Sequence, residues 1–145
     1  MLITNLIDGS YIPSEEEPFM SPQQLAYFRK KLSSWRDQLL QECSESINQM
    51  QDKPLNEADI IDVACNEINQ SIELRTRDRE RKLINKINEA LRRIDDGSYG
   101  YCEETGEPIS IKRLEARPIA TLSIEAQEHH ERRERVFREV REENV

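Results

Sequence analysis

The fold is decided by residues 22–96, which read PQQLAYFRKKLSSWRDQLLQECSESINQMQDKPLNEADIIDVACNEINQSIELRTRDRERKLINKINEALRRIDD. The run contains no glycine, and after Pro22 its only proline is Pro54. Because glycine and proline are the residues that most disfavour a helix interior, the run predicts two long helices that meet near Pro54. Arms over residues 23–52 and 57–96 would be about 45 and 60 Å long. We therefore expect a mainly α-helical protein built on a long antiparallel hairpin, a coiled coil.

Apolar residues in both arms are spaced for pairing with another helix. They recur every three or four residues in the first arm at Leu25, Phe28, Leu32, Trp35 and Leu39, and in the second at Ile84, Ile87, Leu91 and Ile94. This spacing places them on one helix face. Ser21, Pro22 and Gln24 form a capping-box pattern at the start of the first arm, and Gly97 stands where a left-handed cap would end the second. The hairpin is thus predicted over residues 21–97, with its tip near 53–64.

Charge is polarised along this hairpin. Residues 52–73 carry six acids against Lys53, a net charge of −5, whereas residues 74–93 carry eight bases against three acids, a net charge of +5. An acidic tip on a basic shaft indicates that tip and shaft meet different surfaces. Within the shaft, residues 73–83 are charged almost all round, so we expect them to bury only Leu74 and Leu83 and to form helical ion pairs such as Asp78 with Lys82.

Composition narrows the function classes. With 36% hydrophobic residues, 34% charged residues and a formal charge of −8, the chain is unsuited to general DNA coating, which needs clustered cations. Three scattered cysteines favour a reducing compartment, and we expect a cytoplasmic protein. The first 20 residues lack the basic and apolar regions of a signal peptide, and no apolar run is long enough to cross a membrane.

Three further segments complete the predicted organisation. Residues 1–20 are predicted to form an acidic N-terminal segment that either packs on the globular module described next or is mobile. Residues 98–122 are rich in turn formers and predict a compact module, and residues 123–145 predict a C-terminal helix. The predicted core of the module consists of Tyr99, Tyr101, Ile109, Ile111, Leu114, Ile119 and Leu122.

The module has the spacing of a zinc ribbon without its ligands. Cys102 is followed at the other three ligand positions by Thr105, Ser123 and Ala126. A tetrahedral zinc site needs four ligands, and two hydroxyls and a methyl group replace three thiolates. We therefore expect a degenerate zinc-finger-like module without structural zinc, the alternative being zinc held by Cys102 with His129 or His130.

Three stretches carry a family resemblance: SIELRTRDRERKLINKI at 71–87, YGYCEETGEPI at 99–109 and KRLEARP at 112–118. Together they resemble the DksA/TraR family of bacterial transcription factors, over roughly residues 21–141. The resemblance implies a nonenzymatic, monomeric protein that binds RNA polymerase through its secondary channel and does not bind specific DNA sequences. It also implies destabilised promoter open complexes, repression of ribosomal RNA promoters and activation of some amino-acid biosynthesis promoters, together with guanosine tetraphosphate (ppGpp).

The same resemblance implies roles for particular residues. Asp59, Asp62 and Ala64 match the tip that reaches the polymerase active centre, and Arg75 and Arg79 match shaft positions that contact polymerase. The positions that hold ppGpp against polymerase are Leu83, Lys86, Arg117 and Gln127, the last replacing a lysine of the family pattern. Physically, aspartates three residues apart share a helix face near its start, where the dipole favours acids, so plain N-terminal capping is the alternative for Asp59 and Asp62.

Two other functions compete with this interpretation. A transcript-cleavage factor of the Gre type would use the tip acids to hold a catalytic magnesium ion. A coiled-coil adaptor or oligomerisation protein would self-associate and ignore polymerase, although the charged stretch 73–82 disfavours a long intermolecular coiled coil.

Overall fold

A computed structural model describes residues 10–51 and 60–143 of the chain. In these ranges the chain forms four helices: α1 (Pro22–Gln51), α2 (Ile60–Asp96), α3 (Ile111–Ala116) and α4 (Ile124–Glu143). The described β-structure is an isolated antiparallel bridge between Tyr101 and Pro108. The predicted mainly α-helical fold is confirmed. Within the described ranges, no helix combines the length and apolar character needed to span a membrane.

The chain divides into two compact units. The hairpin unit comprises Lys31–Leu91, and the module unit comprises Met1–Lys30 with Arg92–Val145. In the hairpin unit α1 and α2 run antiparallel: Arg36 donates a hydrogen bond to Asn88 (3.4 Å), and the Cys43 thiol donates to Glu80 (2.9 Å). Its buried apolar residues are Leu32, Leu39, Ile87, Ala90 and Leu91.

The register of the hairpin differs from a symmetric fold about Pro54. Symmetry would place Cys43 opposite Cys65, whereas Cys43 lies opposite Glu80 and Cys65 is exposed. Continuing the observed register to Gln51 brings the end of α1 level with α2 near Ile72. In the part of α2 before Glu73, the apolar side chains of Ile60, Ile61, Val63, Ile68 and Ile72 are exposed.

The middle of the hairpin is polar where the two helices meet. Glu80 receives the Cys43 hydrogen bond, and Arg77 on the same side of α2 is half-buried. The hydrogen bond to Glu80, with burial, raises the pKa of Cys43. Leu74 is 59% exposed, so the prediction that it is buried is wrong; it lies off the face that meets α1.

The module unit has a small apolar core around Tyr99. The ring of Tyr99 packs 5.6 Å from that of Phe28, and its hydroxyl donates to the carbonyl oxygen of Pro118 (2.7 Å). Ile109, Ile111 and Leu114 are buried as predicted. Tyr101, also predicted in this core, lies at the surface against Phe19, and Ile119 and Leu122 are half-buried.

One half of the predicted capping box forms at the start of α1, and the Gln24 side chain holds the segment before it. Ser21 accepts a hydrogen bond from the backbone of Gln24 (3.3 Å), and the Gln24 side chain accepts one from the backbone of Met20 (2.9 Å). Gln24 is fully buried and also donates to the carbonyl of Ser14 (3.0 Å). A buried polar side chain is stable only when hydrogen-bonded, so Gln24 ties residues 14–20 to the helix.

Two glycines set the entry to the module. Gly97 ends α2 with φ +84°, and the next two backbone N–H groups donate to the carbonyl of Arg93, as in a left-handed C-cap. Gly100 has φ +88° and lies directly against the side chain of Met20, which would approach an added Cβ to 2.9 Å. The positive φ therefore favours glycine at position 100, and an added Cβ would also require the Met20 side chain to move.

Candidate functional site

The predicted tip lies at the start of α2. Asp59 lies outside the described residues, Asp62 falls in the first turn of the helix, and Ala64 is exposed. α1 ends at Gln51 and α2 begins at Ile60. The first turn of α2 therefore belongs to the acidic part of the hairpin sequence, residues 52–73. Exposure of Ala64 fits a contact position, and the roles of the three tip residues remain predictions.

The predicted shaft contacts are exposed on one helix face. Arg75 and Arg79 are four residues apart on α2, and both are exposed. Asp78, between them in sequence, pairs with Arg81 (2.8 Å) and Lys82 (3.0 Å), which confirms the predicted pair with Lys82. Hydrogen bonds from these two cations lower the pKa of Asp78. Asp78 is therefore paired with Arg81 and Lys82, while Arg75 and Arg79 are exposed to solvent.

The four positions expected to contact ppGpp are divided between the two units. On α2, in the hairpin unit, Leu83 is half-buried and Lys86 is exposed. In the module unit, Arg117 is exposed at the C-cap of α3, where its backbone donates to Arg113 (2.8 Å). Gln127 on α4 is half-buried and donates to Glu131 (2.9 Å). Lys86 and Arg117 thus present cationic groups at the surface of their own units.

The degenerate zinc-ribbon positions form a hydrogen-bonded turn around Cys102. The thiol is buried, and the backbone of Cys102 exchanges hydrogen bonds with Glu107 and Gly106, both 2.8 Å. Burial raises the pKa of the thiol, but hydrogen bonds from the Thr105 side chain and from backbone N–H groups of Ser123, Thr105 and Glu104 outweigh this effect and lower it to about 7. Ser123 also caps α4 by accepting from the backbone of Ala126 (3.3 Å). The turn therefore suits a thiolate.

Arg93 has a structural role that its sequence context did not predict. The sequence groups it with the basic shaft, but it is buried and donates to the carbonyls of Tyr101 (2.8 Å) and Ser98 (3.3 Å). It also pairs with Glu103 (3.6 Å). Arg93 therefore joins the last turn of α2 to the Cys102 turn, and no local pattern distinguishes it from the exposed arginines nearby.

Two family models match consecutive parts of the chain. Residues 24–94 match the model described as "DnaK suppressor protein DksA, N-terminal domain", and residues 97–132 match "Prokaryotic dksA/traR C4-type zinc finger". The proteins described as RNA polymerase-binding transcription factor DksA in Caulobacter vibrioides and in Escherichia coli K12 are 58% and 46% identical to the chain. The chain belongs to the DksA family.

Similarity to DksA proteins extends over nearly the whole chain. The Caulobacter alignment covers 94% of this chain and 96% of its relative, and the E. coli alignment covers 85% and 83%. A solved structure of transcription factor DksA2 from Pseudomonas aeruginosa matches with a TM-score of 0.73 and 38% identity, over 92% of this chain and 96% of that one. These relatives confirm both the predicted family and the predicted fold class.

The DksA match corrects the prediction that the module holds no zinc. The model that covers residues 97–132 is that of a C4-type zinc finger, which points to bound zinc, so the prediction is wrong. The prediction rested on the count of thiolates at positions 102, 105, 123 and 126. The four positions themselves do not fit a four-thiolate site, because Cys102 is the one thiol among them, and the described residues contain no group of three or more His, Cys, Asp or Glu side chains placed for a metal.

Proposed function

We propose that this chain is a transcription factor that binds RNA polymerase directly and alters the stability of promoter complexes. The observation that carries the proposal is the near full-length identity of 58% with a relative described as an RNA polymerase-binding transcription factor. The Caulobacter alignment covers hairpin and module together, so it includes both parts on which such a function would depend. The proposed action is nonenzymatic and does not involve sequence-specific DNA contacts.

The proposed mechanism uses the polarised hairpin. We infer that α2 enters the secondary channel of polymerase with its acidic end first, so that Asp59, Asp62 and Ala64 approach the active centre. Arg75 and Arg79, exposed one turn apart, would contact acidic groups nearer the channel entrance. The net charges of −5 over residues 52–73 and +5 over 74–93 support this orientation, because each half then meets a surface of opposite sign.

An effector site is proposed where polymerase meets the protein. Lys86 and Arg117 are exposed cations, a suitable chemistry for the phosphates of ppGpp. Leu83 would contribute apolar contact, and Gln127 would contribute a neutral hydrogen-bonding side chain where the family pattern has a lysine. The loss of that charge predicts weaker ppGpp dependence than in a relative with lysine at this position. By the same proposal, ribosomal RNA promoters are repressed, some amino-acid biosynthesis promoters are activated, and the protein acts as a cytoplasmic monomer.

The test is the lifetime of the open complex on a ribosomal RNA promoter with the cognate polymerase, with and without ppGpp. The wild type should shorten the lifetime, and the double variant Asp59→Asn, Asp62→Asn should bind polymerase without shortening it. Glu67→Gln is a matched control, because Glu67 is an exposed acid on α2 outside the tip pattern, and it should behave as wild type.

Two results would contradict the proposal. An open complex whose lifetime is the same with and without the wild-type protein would exclude the proposed activity. Shortening of the RNA in backtracked complexes by the wild type, lost in the double variant, would favour a cleavage factor instead.

A further inference from the structure

A groove of about 650 Å³ lies in the module unit between residues 12–16 and α3. Its apolar lining consists of Ile12, Pro13, Ile111 and Ala116. The buried Gln24 donates to the carbonyl of Ser14 (3.0 Å), which fixes one side of the groove, and α3 forms the other side. We call this feature the α3 groove.

The rest of the lining is mainly acidic. Glu15, Glu16 and Glu115 line the groove, and Lys112 is the one cation among its described lining residues. Glu15 and Glu16 are exposed, and Glu115 accepts a hydrogen bond from the hydroxyl of Tyr27 (2.8 Å). A ligand that matches the α3 groove must therefore combine apolar groups with cations.

The second half of α4 carries this combination. Val136, Phe137 and Val140 are 54%, 67% and 50% exposed, and their spacing places them on one helix face. Arg133 and Arg141 lie four residues before and four residues after Phe137, so they belong to the same face. These five residues form the α4 face. An aligned set of exposed apolar side chains indicates an interaction site.

The α4 face is cationic where the α3 groove is acidic. Residues 132–141 carry five arginines against Glu134 and Glu139, a net charge of +3. Every residue from Glu128 to Glu142 is exposed, so this half of the helix does not occupy the groove of its own chain. Phe137 also lies about 20 Å along a continuous helix from Ile124, and α4 could not fold back without breaking.

The charges disfavour two other occupants of the groove within this chain. Residues 1–9 include apolar side chains but contain no lysine or arginine. The exposed isoleucines of α2 belong to residues 60–73, which carry Asp62, Glu67 and Glu73 without a base. Either segment would leave the groove carboxylates without cations, and like charges at close range are destabilising.

We propose that the α4 face of one copy docks in the α3 groove of a second copy. Phe137 enters the apolar lining, and Arg133 and Arg141 pair with the carboxylates beside it. Reciprocal docking of the two α4 helices closes a twofold dimer. The inference goes beyond the proposed function and does not depend on it, because the dimer forms without polymerase.

The first test is analytical ultracentrifugation of the full chain in the absence of polymerase. The wild type should form a dimer that dissociates on dilution and that higher ionic strength weakens. Phe137→Ser should raise the dissociation constant at least about tenfold. Ile68→Ser is the matched control, because Ile68 is 61% exposed but lies on α2, and its dissociation constant should stay within about twofold of wild type.

The second test exchanges the charges of the two surfaces. The variant Glu15→Arg, Glu16→Arg and the variant Arg133→Glu, Arg141→Glu should each be monomeric alone, because groove and helix then carry the same sign. Mixed together, the two variants should form a heterodimer, because both contacts again join opposite charges. The exchanged residues are exposed at the surface, so each variant should keep the circular dichroism spectrum of wild type.

Three results would overturn the inference. The first is a wild type that stays monomeric up to about 1 mM, and the second is a mixture of the two charge variants that does not associate. The third is a dimer lost in Ile68→Ser and unchanged in Phe137→Ser, which would show that the copies pair through α2. Because the assays contain no polymerase, each of these results leaves the proposed function standing.

Discussion

Replacing Gly100 by alanine should destabilise the module unit by more than the same change at Gly97. Both glycines have positive φ, +88° and +84°, so each alanine variant bears a backbone cost of about 1–2 kcal/mol. Their surroundings differ. An added Cβ at position 100 would lie 2.9, 3.0 and 3.1 Å from Cε, Sδ and Cγ of Met20, whereas one at position 97 would meet nothing within 4 Å. Because the nearest atom is the end of the flexible Met20 side chain, the added cost is at the low end of the overpacking range, about 1 kcal/mol. We therefore expect about 1–2 kcal/mol for Gly97→Ala and about 2–3 kcal/mol for Gly100→Ala.

The assay is urea unfolding followed by far-ultraviolet circular dichroism, with Met20→Ala combined with Gly100→Ala to complete a double-mutant cycle. Shortening Met20 removes the obstacle, so the double variant should be more stable than the sum of the single changes by about 1 kcal/mol. Equal costs for Gly100→Ala and Gly97→Ala, or a cycle without coupling, would refute the reasoning. Either result would mean that the contact between Met20 and residue 100 is not tight.

Two further predictions concern buried and half-buried polar groups of the module unit. Arg93→Met should lower the free energy of unfolding by about 2–3 kcal/mol, because it deprives the carbonyls of Tyr101 and Ser98 of a charged donor; Arg93→Lys should restore only part of it, and full restoration would argue that charge alone matters. Burial, with the hydrogen bond to Glu115, raises the pKa of Tyr27 from 10.0 to about 12. A raised pKa means that the protonated phenol stabilises the fold below pH 10 and that this contribution is lost as pH rises towards 12. The unfolding free energy of Tyr27→Phe should therefore decline less steeply than that of wild type over this range, and parallel pH profiles would contradict the assignment.

The arrangement of helices was predictable because its signals are local. The absence of glycine from residues 10–96, the apolar spacing and the capping pattern at Ser21 each depend on residues within a few turns, and helix geometry relates such residues directly. The register between the arms was not predictable in this way. The register is set by contacts such as that of Cys43 with Glu80, which join residues far apart in sequence. Some of these contacts are polar, so the spacing of apolar residues does not predict them.

In the candidate site, too, features set by neighbouring residues were predictable and features set by distant contacts were not. Exposure of Arg75 and Arg79 could be expected from a charged helical stretch, and the pair formed by Asp78 and Lys82 follows from their spacing. The burial of Arg93 could not, because it arises from the turn at 98–103 folding back on the last turn of α2. The zinc prediction was also a local argument, because it considered the ligand positions one by one, whereas the match to the C4-type zinc finger extends over residues 97–132.

Because α1 and α2 contact each other through polar side chains in the middle of the hairpin, the free energy of local opening should vary along the hairpin. Among the described residues of the hairpin unit, the buried apolar side chains reach no further along α1 than Leu39 and along α2 than Ile87, while the Cys43 and Glu80 pair lies beyond them. Free energies of local opening follow the density of buried apolar contacts. Amide protons near Ile87 should consequently exchange with solvent far more slowly than those around Glu80. The helices around Cys43 and Glu80 should therefore separate and rejoin while those around Leu39 and Ile87 stay packed. The hairpin would then open in steps along its length rather than all at once.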